Sequence, residues 1–445
     1  MLYERLLERT ESLCPKCMRI IPAEIFTDGE KVFMRKECQQ HGVFCGLVWN
    51  DYQMYQMSFK FARAGGLPEK WAVSVNKGCP YDCGLCPEHK QHTCLAILEV
   101  TDKCNLNCPV CLESSRGRNN PELNQIENSL KKLLMYEGKE TSLQISGGEP
   151  TTREDLVEII QAAASLGFKK IEVNTNGIEI GKNRTLAKDL AAAGLRGIYL
   201  QFDGLIPEAN VLLRGSNPDL LPLKEMAIER AKRADLEVTL AATIVKGVND
   251  NQLWEIIKYA IKKDAKGVNF QPFAASGKFP QDLFNPMERV TVPDVVKGIH
   301  RQSGGQLKVE DFAPISCPDN RCTMLTYTII KNGKITPISR IVDIEEVIDC
   351  YSMLADFDEV LRTVNMALCD GNKGLCCGAL PDELEGQYFS IACHGLQDIW
   401  TIDIKRVKKC CVHELTVDGK LIPFCLYNIT SLEGKPLNVQ FNHNN

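Results

Sequence analysis

No window of this chain comes near the roughly 18 uninterrupted apolar residues that span a bilayer, and its opening stretch, MLYERLLERTESLCPKC, carries charges throughout where a signal peptide would carry an apolar centre. These absences predict a cytoplasmic protein, at most peripheral at the inner face of a membrane. An excess of basic residues is missing too. Fifty-two Lys and Arg stand against 57 Asp and Glu, for a formal net charge of −5. The charges are interspersed, so the electrostatic footprint of a nucleic-acid partner is absent. Low-complexity tracts are lacking as well. With 445 residues, 44% of them hydrophobic, the chain can bury one large core plus one or two smaller lobes.

Cysteine, by contrast, is abundant, with 21 residues. A disulfide framework suits short secreted chains, whereas these thiols fall into Cys-x2-Cys and Cys-x3-Cys-x2-Cys groups, which is the spacing of metal ligands. The stretch TDKCNLNCPVCLE holds Cys104, Cys108 and Cys111. One short loop of that spacing delivers three thiolates to three irons of a cubic 4Fe–4S cluster and leaves the fourth iron without a protein ligand. An open iron can chelate the amino and carboxylate groups of S-adenosylmethionine (SAM) and drive its cleavage to a 5′-deoxyadenosyl radical, which removes hydrogen from unactivated C–H bonds. SGGEPT, Ser146 to Thr151, follows directly behind the apolar run Leu143–Ile145. A glycine pair at a strand end lets backbone approach a ligand closely. The two motifs, in this order and at this distance, resemble the radical SAM superfamily.

The N-terminal 50 residues read as a charged helical lead, then Cys14-Pro-Lys-Cys17, a turn at Asp28-Gly29, a strand at Lys31–Arg35, and a second knuckle with Cys38, His41 and Cys45. Two knuckles bridged by a hairpin predict a zinc-ribbon or rubredoxin-like lobe with one tetrahedral metal. Its fourth ligand is either His41 or Cys45, and the metal either zinc or iron. Residues 51–94 comprise an aromatic-rich linker and the run GCPYDCGLCPEHKQHTC, in which Cys79, Cys83 and Cys86 repeat the cluster spacing and Cys94 follows. Spacing alone does not say which triplet holds SAM. The second triplet follows a strand-like run and precedes a helix and SGGEPT, as the first unit of a barrel would. The first has a fourth thiolate available in Cys94, and a cluster with four cysteine ligands cannot chelate SAM. Residues 79–94 are therefore an expected auxiliary 4Fe–4S site, with His89 and His92 as substitute ligands.

From 95 to about 303 strand and helix alternate. Strands are expected near 95–100, 142–146, 170–175, 197–203, 237–244 and 267–271, with helices between them, including 122–137, 251–263 and a last one near 292–303. Six βα units predict an α/β fold, a partial (β/α)6 barrel with functional loops at the C-terminal ends of its strands. Gly147, Gly148, Glu149, Thr151, Asn174, Asn176 and Asp203 lie at those ends and are the candidate SAM contacts. Glu149 and Thr151 would meet the methionyl amine and the asparagines a ribose hydroxyl. Gln271-Pro272 could touch adenine or substrate. Asn176-Gly177 could equally be an ordinary turn and Asp203 a strand-end cap. Residues 304–445 form a further Cys-rich region, in which a third cluster would draw on Cys317, Cys322, Cys410, Cys411 and Cys425. Adjacent cysteines do not easily serve one iron, so one of Cys410 and Cys411 is a bystander. Cys350 and Cys369 read as small buried hydrophobes, and Cys376-Cys377 is ambiguous.

Taken whole, the N-terminal CPKC with KECQQHG, the run CPYDCGLCPEHKQHTCLAILEVTDKCNLNCPVC, SGGEPT and the tail CC-x-HE, DGK and LIPFC-x-YN resemble the archaeal tetraether lipid synthases. That resemblance implies three 4Fe–4S clusters (one SAM-binding, two auxiliary), one mononuclear iron or zinc, and an external electron donor such as ferredoxin or flavodoxin. It also implies a long saturated lipid as substrate, two chain termini being joined by a C–C bond. Related sequences are pterin methyltransferases, so a pterin-type methyltransferase or a peptide-modifying enzyme is the alternative. What lines the barrel separates these readings: a long apolar tunnel suits a lipid, a polar pocket a pterin, an open groove a peptide.

Overall fold

The computed structural model describes residues 4–112, 120–138, 141–215, 220–315, 319–347, 360 and 384–437. The charged lead, expected to be helical, is strand β1, Arg5–Leu13. Thr10 and Ser12 are buried between exposed Arg9 and Glu11, a period of two, and their hydroxyls donate to Asp403 Oδ1 and to the Ile402 carbonyl, each at 2.6 Å. Partners almost 400 residues away thus override local helix propensity. β1 begins an antiparallel sheet with β2 (Ile20–Thr27), β3 (Val32–Cys38) and β4 (Gly42–Trp49), in that order. Asp51 then caps α1, Tyr52–Ser58, through the Met54 N–H.

The alternating region forms as its periodicity predicts. β5 (Leu95–Glu99), β6 (Ser142–Ser146), β7 (Ile171–Thr175), β8 (Gly197–Gln201), β9 (Glu237–Ile244) and β10 (Gly267–Pro272) pair in sequence order, all parallel. Between them run α2 (Leu123–Glu137), α3 (Leu156–Ser165), α4 (Ile178–Lys182), α5 (Leu186–Ala192), α6 (Pro207–Arg214), α7 (Leu220–Arg233) and α8 (Leu253–Lys262), with α9 (Val292–Gln302) after β10. α2 buries Ile126, Leu130 and Leu133, and α8 buries Leu253, Ile256, Ile257 and Ala260. Each is one stripe of a 3.6-residue period laid on the sheet.

The described part of residues 304–445, expected as a further Cys-rich region, adds strands to the barrel sheet. After β11 (Ala313–Pro314), β12 (Thr323–Lys331) and β13 (Lys334–Pro337), β14 (Gln387–His394) adds to β10 in parallel, with β12 antiparallel beyond it. On the opposite edge β15 (Val412–Leu415) adds in parallel to β5, followed by β16 (Leu421–Pro423). Both edges of the six-stranded sheet are thereby covered, which removes the unpaired N–H and C=O rows that an open parallel sheet would expose. One apolar core runs from Ala23 and Val32 of the N-terminal lobe through the barrel to Leu415 and Leu421. No described helix is long and apolar enough to cross a membrane.

Candidate active site

Cys14 and Cys17 sit in the turn between β1 and β2, Cys38 ends β3, and His41 lies in the turn before β4. Their four ligand atoms are all within 4.8 Å of one another, with His41 Nδ1 3.5 Å from Cys14 Sγ and 3.4 Å from Cys38 Sγ. Cys45 points elsewhere, packing with Phe26, Phe33 and Leu47. Of the two fourth ligands left open by the spacing, the geometry gathers His41 and leaves Cys45 out. Three thiolates and one imidazole with no open position make a structural zinc set. Removal of that zinc by a strong chelator is expected to melt the N-terminal lobe, because binding free energy of about 10–16 kcal/mol is folding free energy in such sites. Circular dichroism and one released zinc per chain would show it; an unchanged spectrum after zinc loss would refute it.

At the C-terminal ends of the barrel strands a cavity of about 330 Å³ opens, lined by Cys104, Cys108 and Cys111 together with Ser146, Gly147, Gly148, Glu149, Asn174 and Asn176. The glycine pair is required first by the cysteine loop. A Cβ on Gly147 would lie 2.3 Å from the Thr101 carbonyl oxygen and one on Gly148 2.3 Å from that of Lys103, and the N–H groups of Gly148 and Glu149 donate to those same oxygens at 2.7 and 2.8 Å. Glu149, 1% exposed, accepts from the Thr151 N–H and hydroxyl, the Thr175 hydroxyl and the Asn176 N–H. Its carboxylate ties the loops after β6 and β7 together, and the Thr151 hydroxyl is turned into that network instead of toward a ligand. Asn176 gives its amide N–H to Asn105 Oδ1 at 2.7 Å and accepts from the Ile178 N–H, so it joins the cysteine loop to the start of α4. Asn174 donates to Ser146 Oγ at 3.2 Å.

Asp203, expected as a ligand contact or a cap, is engaged by an arginine. Fully buried, it takes Arg214 in a fork, Nε to Oδ2 at 2.5 Å and Nη2 to Oδ1 at 2.9 Å, and also accepts from the Gln201 amide and the Thr243 N–H. Arg214, which sequence reading passed over, is the only Lys or Arg among the described lining residues of the cavity. It donates to the Val110 carbonyl at 3.1 Å and to the Cys108 sulfur. Burial pushes the Cys108 thiol up and the guanidinium pulls it back toward thiolate. Three thiols lining one cavity beside a fixed cation fit a thiolate-bound cluster. In the sequence an arginine at the end of α6 looks only like a charge complementing the helix dipole. Lys224 was also missed. It lies on the buried stripe of α7 and donates to the carbonyls of Asn176 and Gln201 and to Gln201 Oε1, and a lysine at an apolar-stripe position was the available signal.

Below the rim the lumen has mixed walls, apolar at Leu95, Ile97, Val268, Leu325 and Val412 and polar along four of the strands. Alternate residues of successive strands face it: Gln144, Glu172 and Asn174, Tyr199 and Gln201, Asn269 and Gln271. Asn269 and Gln271 donate to the Tyr199 hydroxyl at 2.7 and 3.1 Å, and Asn269 Oδ1 has no partner. Burial raises the Glu172 carboxyl above its usual range, partly offset by the Gln144 amide.

The remaining cysteines gather around the C-terminal residues. Cys79 and Cys83 pack beside Cys425 against Leu13, Ile399 and Ile402, and burial, with the charges of Cys79, Cys86 and Cys410, raises the Cys83 thiol. Cys410 in turn senses Cys425 and Cys322. Arg406 Nη2 donates to Cys322 Sγ at 3.0 Å, and the Gln397 N–H to Cys425 Sγ at 3.4 Å. Cys94 lies at the start of β5, its sulfur 3.6 Å from His92 Nε2 and its N–H on the Cys411 carbonyl at 2.8 Å. Nε2 of His89 sits 2.7 Å from the Cys410 carbonyl oxygen. Cys317, Cys350, Cys369, Cys376 and Cys377 lie outside the described residues.

The family model for the HMPTM N-terminal zinc ribbon domain matches residues 6–50, and that for the radical SAM superfamily matches residues 98–260. A 7,8-dihydro-6-hydroxymethylpterin dimethyltransferase of Methanocaldococcus jannaschii is 34% identical, over 95% of this chain and 93% of its own length. The chain belongs to the family of that methyltransferase. Its radical SAM region is shared with a GTP 3′,8-cyclase of Aquifex aeolicus, 34% identical over 36% of this chain and 51% of the cyclase. The crystal structure of Streptococcus suis SuiB, 17% identical, covers 48% of this chain and 46% of its own, with a TM-score of 0.39. Members of a radical SAM family use SAM and a 4Fe–4S cluster, and this chain is a radical SAM enzyme with an N-terminal zinc ribbon. Its resemblance to tetraether lipid synthases does not carry over to the reaction. The full-length relative is named for a pterin and not for a lipid. Both the joining of lipid chains and a lipid partner are therefore corrected.

Proposed function

We propose that this protein methylates a reduced pterin, in the manner its full-length relative's name describes. The full-length relative carries this reading, and the lumen is compatible with it: Gln144, Glu172, Tyr199 and Asn269, set between apolar walls, suit a flat heterocycle with N–H and C=O groups at its edge. Cys104, Cys108 and Cys111 would hold the cluster that binds SAM, with Cys79, Cys83 and Cys86 and the group of Cys322, Cys410 and Cys425 serving auxiliary clusters. Bound there, cluster and SAM supply a 5′-deoxyadenosyl radical. The chain's own part is to present the substrate. Ser146, Asn174 and Asn176 meet polar groups at the rim, the Arg214–Asp203 pair fixes the cysteine loop, and the lumen walls hold the heterocycle and exclude water.

The test is isotopic. Anaerobic holoenzyme with SAM and dithionite should move deuterium from 7,8-dihydro-6-hydroxymethylpterin, labelled at its ring and side-chain CH2 groups, into 5′-deoxyadenosine. The pterin should gain the mass of one or two methylene units when cell-extract cofactors are added. Label retained in the pterin while a peptide substrate is modified would replace this reading with the peptide alternative.

A further inference from the structure

Glu172 has no role in the cysteine loops, the glycine-rich turn or the Arg214 clamp, yet it is a carboxyl group facing the interior of a barrel. Among the described residues its one hydrogen-bond donor is Gln144 Nε2, at a long 3.5 Å, and no Lys, Arg or His pairs with it. Gly197 stands opposite it on β8, with Glu237 beyond on β9, whose charge adds to burial in raising the Glu172 carboxyl. Half-buried and held by one long hydrogen bond, this carboxyl keeps most of its acceptor capacity for a ligand in the cavity it lines. Its position is also specific. It lies two residues deeper along β7 than Asn174, which reaches the rim beside Ser146, and near enough to Tyr199 that its charge raises the phenol.

We propose that Glu172 anchors the substrate, its two carboxylate oxygens accepting the paired N3–H and 2-amino hydrogens of a 2-aminopyrimidin-4-one ring. This rests on the pterin reading and adds the orientation of the ring. Two parallel N–H donors on a planar edge match a carboxylate as a guanidinium does. Tyr199 accepts from Asn269 and Gln271, which leaves its O–H free to donate to the ring carbonyl. With the pyrimidine edge held at this depth, the other ring and its 6-substituent point up the lumen toward Cys104, Cys108 and Cys111. Carbon atoms on that side are then the ones presented to the radical, and the amino-substituted ring is kept from it.

Binding of two ligands to the anaerobic holoenzyme tests the assignment: 6-hydroxymethylpterin, and 6-hydroxymethyllumazine, which carries an oxygen in place of the 2-amino group. The wild type should prefer the pterin. In Glu172→Gln the amide donates to that oxygen and accepts from N3–H, so pterin affinity should fall about ten- to hundred-fold and the preference should shift toward the lumazine. Glu172→Asp, which keeps the charge, should keep the wild-type preference at weaker affinity. The ratio of the two ligands within one variant is insensitive to a general loss of folded protein. An unchanged ratio in Glu172→Gln overturns the anchor and leaves the pterin reading standing; a wild type that binds neither ligand overturns both.

Discussion

Protein carrying Cys104→Ala, Cys108→Ala and Cys111→Ala is expected to form no 5′-deoxyadenosine above background after anaerobic reconstitution with iron, sulfide, SAM and dithionite. Protein carrying Cys79→Ala, Cys83→Ala and Cys86→Ala is expected to retain SAM cleavage. The two triplets share one spacing, so the contrast rests on where the fold sets them. Cys104, Cys108 and Cys111 follow β5 and line the cavity together with the SGGEPT turn, whereas Cys79 and Cys83 pack among Leu13, Ile399, Ile402 and Cys425, away from the described cavity lining. Only a cluster at the cavity can have an open iron within reach of a ligand bound there. Wild-type protein should contain about twelve irons and one zinc per chain, and the first triple variant about four irons fewer. Cleavage that survives in the first variant and vanishes in the second would reverse the assignment of the triplets.

Arg214→Gln is expected to destabilise the protein by about 3–5 kcal/mol, because it removes the forked cationic partner of a carboxylate at 0% exposure. The same change releases Val110 and Cys108, so cluster occupancy should fall as well. Asp203→Asn in the same chain removes the carboxylate charge and should restore most of the melting temperature, since isosteric neutral pairs often replace buried ion pairs at little cost. It should not restore the cluster, as the guanidinium that favours the Cys108 thiolate would still be gone. Calorimetry and the visible absorbance of the cluster separate the two effects. A double variant that regains both would show that Arg214 acts on the fold alone.

Much of the barrel was legible because its signals are local. The stripe of Ile126, Leu130 and Leu133, the run Leu143–Ile145 and the spacing of Cys104, Cys108 and Cys111 each lie within one turn, strand or loop, and the elements formed within a residue or two of their expected bounds. The N-terminal lead was misread because the partners of Thr10 and Ser12 lie at Asp403 and Ile402, beyond the reach of any window. Substrate class was misread for a related reason: the cysteine motifs are common to enzymes acting on very different molecules, and motifs that bind a cofactor say little about what else the barrel holds.

By itself, then, the amino-acid order determined the superfamily, the zinc-ribbon knuckles, the parallel α/β units and the existence of several thiolate groups, since spacing along a short loop or a single helix is set by chain geometry alone. Tertiary structure decided the rest. It chose His41 over Cys45 by holding His41 in the turn beside Cys38 and packing Cys45 of β4 against Phe26 and Phe33, turned Asp203 into the holder of Arg214, and attached described strands of the last third of the chain to both edges of the barrel. Above all it gathered a polar strip inside the lumen. Gln144, Glu172, Tyr199 and Asn269 come from four strands spread over more than a hundred residues, and only the register and curl of the sheet bring their side chains to one space.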